Sequence, residues 1–224
     1  MRGVRRGIAR AFVASITAKS NFLRGNLDTL VEVIETIAAA LRAGGKLLLF
    51  GNGGSAADAQ HIAAEFVNRF KIERTPLPAL ALTTDTSTLT SIANDYGYAE
   101  VFAKQVRALG RQGDVAIAIS TSGNAVNVLR AVDACRHIGI RTVALTGGSG
   151  GKLVDKADLV LLACGTTETA RIQETHILVG HVICEQVDAL LFGGAPAAEP
   201  PGPPYRKRAA DKRKAHAVSK ARRG

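Results

Sequence analysis

The chain has 224 residues, of which 46% are hydrophobic, 21% charged and 4% aromatic; this supports one sizeable core with an appended helical element and excludes a disordered protein. No uninterrupted apolar run reaches the roughly 18 to 20 residues that span a bilayer, and the Arg-rich start lacks an apolar stretch with a cleavage site, so a cytoplasmic protein is expected. The net charge of +10 suggests nucleic acid until it is mapped: residues 1–10 carry four arginines, residues 205–224 carry nine Lys or Arg against Asp211, and residues 11–204 are left at −2. Basicity belongs to the ends, not to the folded part.

Residues 1–14 read as a basic arm. From about Ser15 to Arg42 apolar residues, among them Phe22, Leu30, Ile34, Ile37 and Leu41, recur at helical spacing, which predicts one or two amphipathic helices. Lys46 to Phe50 (KLLLF) is a short apolar run between glycines, read as a buried strand, and similar runs stand at Leu80 to Thr83, Val115 to Ile119, Thr142 to Thr146 and Leu159 to Ala163. Helical stretches are expected at Ser55 to Phe70, Thr88 to Asn94, Tyr98 to Leu109, Ala125 to Ile138, Lys152 to Lys156 and Thr169 to Leu191. Strands alternating with helices predict an α/β fold, a doubly wound parallel sheet of five strands flanked by helices. Residues 193–224, Pro/Ala-rich and then basic, read as a disordered tail. Cys135, Cys164 and Cys184 are far apart, form no CxxC pair and read as buried thiols.

In such a sheet ligands sit beyond the carboxyl ends of the strands. Two turns there are unusual: Gly51-Asn52-Gly53-Gly54-Ser55 after KLLLF, and Ser120-Thr121-Ser122-Gly123-Asn124 after VAIAI, each opening into a helix. Glycines admit an anion close to the backbone, hydroxyls donate to it, and a helix N-terminus adds free N–H groups and partial positive charge, so both turns suit a phosphate or sugar hydroxyls. Ser, Thr and Asn are also ordinary helix caps, and that alternative stays open for either turn alone. Neither turn matches a dinucleotide or Walker pattern, so no nucleotide cofactor is expected. A third stretch, Thr146 to Gly151, reads equally well as a flexible connection.

Asp58, His61 and Glu65 lie on one face of the helix after the first turn, as a shared site or as a solvated stripe. On the last helix Gln173 and His181 are eight residues apart, about 12 Å along the axis at 1.5 Å per residue, a separation that suits a site walled by more than one subunit. His181 sits in an otherwise apolar helix, and Glu65 supplies a separate carboxylate. A carboxylate and an imidazole facing a bound sugar phosphate are what enolisation requires.

The segments GNGGSAADAQHIAAEF, ALTTDTSTLTSIANDYGYAEVF, GDVAIAISTSGNAVNV and ARIQETHILVGHVICEQ, in that order, resemble the sugar isomerase (SIS) domain family over residues 15–192, in particular its members that act on a seven-carbon sugar phosphate. The resemblance implies a flavodoxin-like sheet and a homotetramer with shared active sites. It also implies isomerisation of sedoheptulose 7-phosphate to D-glycero-D-manno-heptose 7-phosphate through a cis-enediol, the first step towards nucleotide-activated heptoses. It carries substrate contacts onto Asn52, Gly53, Gly54, Ser55, Glu65, Asn94, Asp95, Ser120, Thr121, Ser122 and Gln173, and an acid/base pair onto Glu65 and His181. In part of the family zinc is held by residues matching His61, Glu65, Gln173 and His181, a mixed N/O set that suits the metal.

Two positions depart from the family pattern. Ala125 stands where a serine hydroxyl is usual after STSGN, and Ala170 where some members have aspartate. Two rival functions remain at this stage. One is a non-catalytic member of the fold that binds a replication initiator, against which the presence of both Glu65 and His181 counts. The other is a nucleic-acid contact through the basic tail, against which the simpler reading is a solubilising extension.

Overall fold

A computed structural model describes residues 1–193; the Pro/Ala-rich and basic tail, for which disorder is expected, lies outside the described residues from 194 onward. The elements are α1 (Arg2–Arg42), β1 (Leu47–Gly51), α2 (Gly54–Val67), β2 (Ala79–Ala81), α3 (Thr86–Tyr96), α4 (Val101–Leu109), β3 (Val115–Ser120), α5 (Val126–Ile138), β4 (Arg141–Gly147), β5 (Leu159–Ala163) and α6 (Thr169–Phe192). The five strands form one sheet in the order β2-β1-β3-β4-β5, every pair parallel. The order reverses between β1 and β3, so the turns that follow these two strands flank the crevice where such sheets take their ligands.

Alternation along the strands divides the core in two. Leu47, Leu49, Val115, Ile117, Ile119, Val143 and Leu145 face a cluster built with α1, α2 and α6. Leu48, Phe50, Ala116, Ala118 and Ala144 face a second cluster built with α3, α4 and α5. Both faces of β1 and β3 are thus covered, which is why these strands read as continuous apolar runs rather than alternating ones. Cys135 and Cys184 are buried in these cores, which pushes their thiols up to about 12, while Cys164 is half-buried; all three are free.

Local departures from expectation have local causes. The first helix does not start at Ser15 but at Arg2, as one 41-residue rod; its first buried residue is Ala18, so the segment before it propagates the helix without a core contact that periodicity would register. The helix expected over Lys152 to Lys156 is only a short 3-10 turn at Gly151–Leu153, in keeping with the glycines before it. The stretch from Tyr98 enters α4 through a similar turn at Tyr98–Glu100. Although α6 is long and apolar enough by composition to cross a membrane, its Val179, Ile183, Cys184 and Val187 belong to the first cluster, which is the signature of a core helix.

The free edge of β5 is covered by α1 through a single polar side chain. Asn26, buried among apolar neighbours, donates from Nδ2 to the Leu162 carbonyl (3.1 Å) and accepts the Leu162 amide on Oδ1 (2.8 Å), with a further bond to the Phe22 carbonyl (2.8 Å). One asparagine therefore mimics a neighbouring strand at an edge that would otherwise present unpaired backbone. Replacing it with the similarly sized leucine leaves both Leu162 groups without partners, so Asn26→Leu is expected to lower unfolding stability by about 1–3 kcal/mol, read as a lower urea midpoint at unchanged slope.

Candidate active site

The first turn leaves β1 at Gly51 and enters α2 through Gly53, which has no side chain to cap the helix. At the second turn Ala125 is the residue before α5, and it too offers no cap. The hydroxyls of the second turn instead bond within it: Ser120 Oγ accepts the Gly123 amide (3.2 Å) and Ser122 Oγ accepts the Asn124 amide (3.3 Å). Each serine therefore keeps its O–H proton to donate outward, as an anion cradle needs. Ser55 and Ser120 are buried and Asn52 and Thr121 half-buried, whereas Gly53, Gly54 and Ser122 are exposed.

The two turns are locked together across the switch point. Asn52 Nδ2 donates to Asn127 Oδ1 and Asn127 Nδ2 donates to Asn52 Oδ1, both at 2.9 Å, and the hydroxyl of Tyr98 adds a third bond to Asn52 Oδ1 (3.1 Å). Asn127 is buried and also receives the Val128 amide. The third glycine-rich stretch is not a loose connection. The Lys152 amide donates to Asn124 Oδ1 (3.1 Å) and the Leu153 amide to the Gly123 carbonyl (3.0 Å), so it buttresses the second turn. Asn94 and Asp95 are exposed near the end of α3 and bond to each other (2.8 Å); their segment reaches the first turn through Tyr98.

Seven residues into α2, and on the facing α6, three donors converge. His61 Nε2 lies 2.9 Å from His181 Nε2 and 3.4 Å from Glu65 Oε1, and the three ligand-type atoms fall within 4.8 Å of one another. The ring of Phe70 stacks on His181 at 5.5 Å between centroids, which helps fix the imidazole. Asp58, one turn earlier on α2, buries Oδ2 without a partner; burial raises its carboxyl above the ordinary carboxylate range, against the opposing pull of His61. Two imidazole nitrogens and a carboxylate oxygen fit zinc, and three protein donors leave a position for a further ligand. Gln173, the fourth residue of the set implied by the family resemblance, sits at the other end of α2. Its side-chain amide lies directly against Gly54, so it covers the first turn, and a larger residue at Gly54 would have to displace it.

A second glycine sets the distance between the two helices. At Gly180 a Cβ would stand 2.5 Å from Ile62 Cδ1 and 2.8 Å from Ile62 Cγ1, so α6 lies directly on α2 next to His61 and His181. His176, one turn earlier on α6, points inward and hydrogen-bonds the Thr146 carbonyl (3.1 Å) through Nε2. Burial pulls its imidazole down to about 4, outweighing that bond; it is a neutral anchor of α6 on β4 and not one of the converging donors. Residues that the sequence reading did not single out are Asn127, Tyr98, Phe70 and Gly180; only the glycine, alone in an apolar helix, left a visible trace there.

A parallel sheet with anion-type turns on both sides of its switch point and a Glu/His cluster beyond them defines a sugar-phosphate-handling α/β domain, and the SIS domain profile matches residues 11–147. The chain belongs to the SIS domain family and, within it, to the phosphoheptose isomerases, which are enzymes. It is 53% identical over 185 residues to the phosphoheptose isomerase of Thermodesulfovibrio yellowstonii, covering 83% of this chain and 92% of that one. It is 58% identical over 179 residues to that of Roseiflexus sp., covering 80% and 90%. The solved phosphoheptose isomerase of Neisseria gonorrhoeae superposes with a TM-score of 0.78 at 46% identity, over 83% of this chain and 99% of that chain.

If Gly180 sets the helix spacing, a methyl group there must push Ile62 or the whole of α2 away. Gly180→Ala is expected to lower stability by about 1–3 kcal/mol through overpacking, and to lower turnover as well; thermal unfolding and an isomerase assay on one preparation check both.

Proposed function

We propose that the chain interconverts sedoheptulose 7-phosphate and D-glycero-D-manno-heptose 7-phosphate by proton transfer through a cis-enediol, and so provides the first intermediate towards nucleotide-activated heptoses. The observation that carries this is the convergence of Glu65 and His181 towards the far end of α2 from the first glycine- and hydroxyl-rich turn. From Gly54 to His61 is about 10 Å along α2 at 1.5 Å per residue, a span of the order of a short phosphorylated sugar chain. The phosphoryl group is taken by the turns of Asn52 to Ser55 and Ser120 to Ser122, with Gln173, Asn94 and Asp95 on the sugar hydroxyls. Ala125 and Ala170 each withhold one side-chain contact, and backbone amides with Ser122 make up for the hydroxyl missing at Ala125.

Starting from the ketose, Glu65 takes a proton from C1 while the O2 carbonyl gains one, giving the enediol; Glu65 then returns its proton to C2 as the O1 hydroxyl loses one, giving the aldehyde. His181 carries the protons on and off O1 and O2. An imidazole that both donates and accepts suits this exchange, and the close His61 nitrogen gives it a partner. His61, Glu65 and His181 would hold a zinc ion, with Gln173 belonging to the set by resemblance; when bound, zinc polarises a carbonyl oxygen as a Lewis acid.

Homotetramer formation belongs to the same proposal. Val4, Ile8, Phe12, Ile16, Leu23, Leu27 and Val31 form a stripe along α1, and each is roughly half to two-thirds exposed. Spacings of four or seven residues keep successive members adjacent along the helix, on a strip that flanks the residues buried against the core. A helix end that projects without tertiary packing is marginal in water, and a second copy of the same stripe is the simplest cover. The same proposal takes the enzyme to be cytoplasmic, a reading supported by its three free thiols.

Glu65→Gln is expected to bind substrate nearly as well as the parent while losing at least about 100-fold in turnover, measured by conversion of sedoheptulose 7-phosphate. Full turnover in that variant would remove Glu65 as the base. Phe12→Glu combined with Ile16→Glu should shift the assembly to smaller species in multi-angle light scattering; an unchanged mass would remove the α1 stripe from the interface.

A further inference from the structure

The C-terminal end of α2 lacks every usual device for closing a helix. It has no glycine in the left-handed conformation and no basic residue in its last turn, so the carbonyls of Glu65, Phe66, Val67 and Asn68 have no partner within the helix. The side chain of Arg74, only 1% exposed, folds back beneath this end. Its Nη2 donates to the Glu65 carbonyl (2.9 Å), and its Nη1 donates to the carbonyls of Phe66 (2.8 Å), Asn68 (3.1 Å) and Thr75 (3.2 Å). The remaining donor, Nε, is held at 2.9 Å by Asp188 Oδ1 of α6, whose side chain is 5% exposed. One planar guanidinium thus caps α2 and ties it to α6 at the same time, a geometry that a lysine cannot reproduce.

The two tied points are those that matter for the chemistry. Arg74 grips the backbone of Glu65 itself, and Asp188 lies seven residues beyond His181, two turns along the same face of α6. Resting on the isomerase function proposed above, we propose that Arg74 is a positioning residue: through the Glu65 carbonyl on one side and Asp188 on the other, it fixes the spacing of the Glu65 carboxylate from the His181 imidazole. Stability alone is a poor account of this pair. Buried ion pairs are often no more stabilising than apolar residues of the same volume, and here Asp188 Oδ2 is buried with no partner, a cost that a purely structural contact has little reason to carry. Gly180 and Ile62 set how near the helices come; the Arg74 clamp sets their register along and around each other.

The test uses the full-length chain with Arg74→Lys, which keeps the charge opposite Asp188 but not the fork, with Asp188→Asn, which is isosteric and uncharged, and with the double variant. Expected is a fall in kcat of about 10- to 100-fold for Arg74→Lys, the scale of a misplaced catalytic group, and a smaller fall for Asp188→Asn. KM should stay within about threefold because the turns that bind substrate are untouched. The double variant should lose no more than Arg74→Lys alone, since both changes release one clamp. Unchanged kcat in Arg74→Lys, a rise in KM with kcat intact, or a loss of kcat in both single variants that merely follows the unfolded fraction by circular dichroism would each overturn the proposal. Glu65→Gln is assayed alongside: if it too keeps full turnover, the assignment of Glu65 fails, whereas its inactivation with an unaffected Arg74→Lys sinks only the positioning role.

Discussion

The site exists because two helices far apart in sequence touch with almost nothing between them. α2 follows the first strand and α6 closes the described fold, yet Gly180 lets α6 rest on Ile62 and brings His61 and His181 to 2.9 Å. The sheet supplies the parallel frame, and His176 anchors α6 to β4 from behind. Close packing of this kind resists gradual deformation, so the distance between the two imidazoles and the carboxylate is a property of the core rather than of a loop. Proton transfer depends steeply on such distances, which is a physical reason to build the reacting end on helices.

The end proposed for the phosphate is organised differently. Its donors are turn hydroxyls and backbone amides, which are intrinsically mobile, and the fold restrains them by bonding the turns to one another. Asn52 and Asn127 exchange two amide hydrogen bonds across the switch point, while residues 151–153 brace the second turn from outside. Ser120 and Ser122 spend their acceptor capacity inside the turn and keep their protons for a ligand. Neither helix carries a capping side chain at its N-cap position; the Ser55 and Ala56 amides turn back to the Asn52 and Gly53 carbonyls and the Val128 amide to Asn127 Oδ1, which stiffens both turns further.

Much of this was legible beforehand. The five strands were marked by apolar runs between glycines, and the two turns by hydroxyl-rich composition at the right ends of strands. Glu65 and His181 were found as titratable residues in apolar helices, and the family resemblance gave them roles. What stayed hidden has a common cause. Arg74 lies in a polar connecting segment, Asn127 in the first turn of an ordinary amphipathic helix and Asn26 in the middle of α1; each looks like a surface residue until tertiary structure buries it against backbone that needs a partner. Sequence periodicity reports which face of an element is apolar, not which backbone groups the fold leaves unpaired. The same limit explains the start of α1, where an exposed apolar stripe sustains a helix for which the chain itself offers no core.

That stripe and the open site raise one physical demand. The side chain of His61 is 48% exposed and that of Glu65 24% exposed, whereas charge development during enolisation is best stabilised where water is kept out. At the same time α1 carries a row of half-exposed apolar side chains from Val4 to Val31, the kind of surface that association covers. In the proposed homotetramer, burying the α1 stripes between copies would answer the second demand, and a neighbouring copy lying over His61 and Glu65 would answer the first. Association would then be part of the catalyst and not only of its stability, because the groups that move protons are set by one chain while the seclusion they need comes from the next.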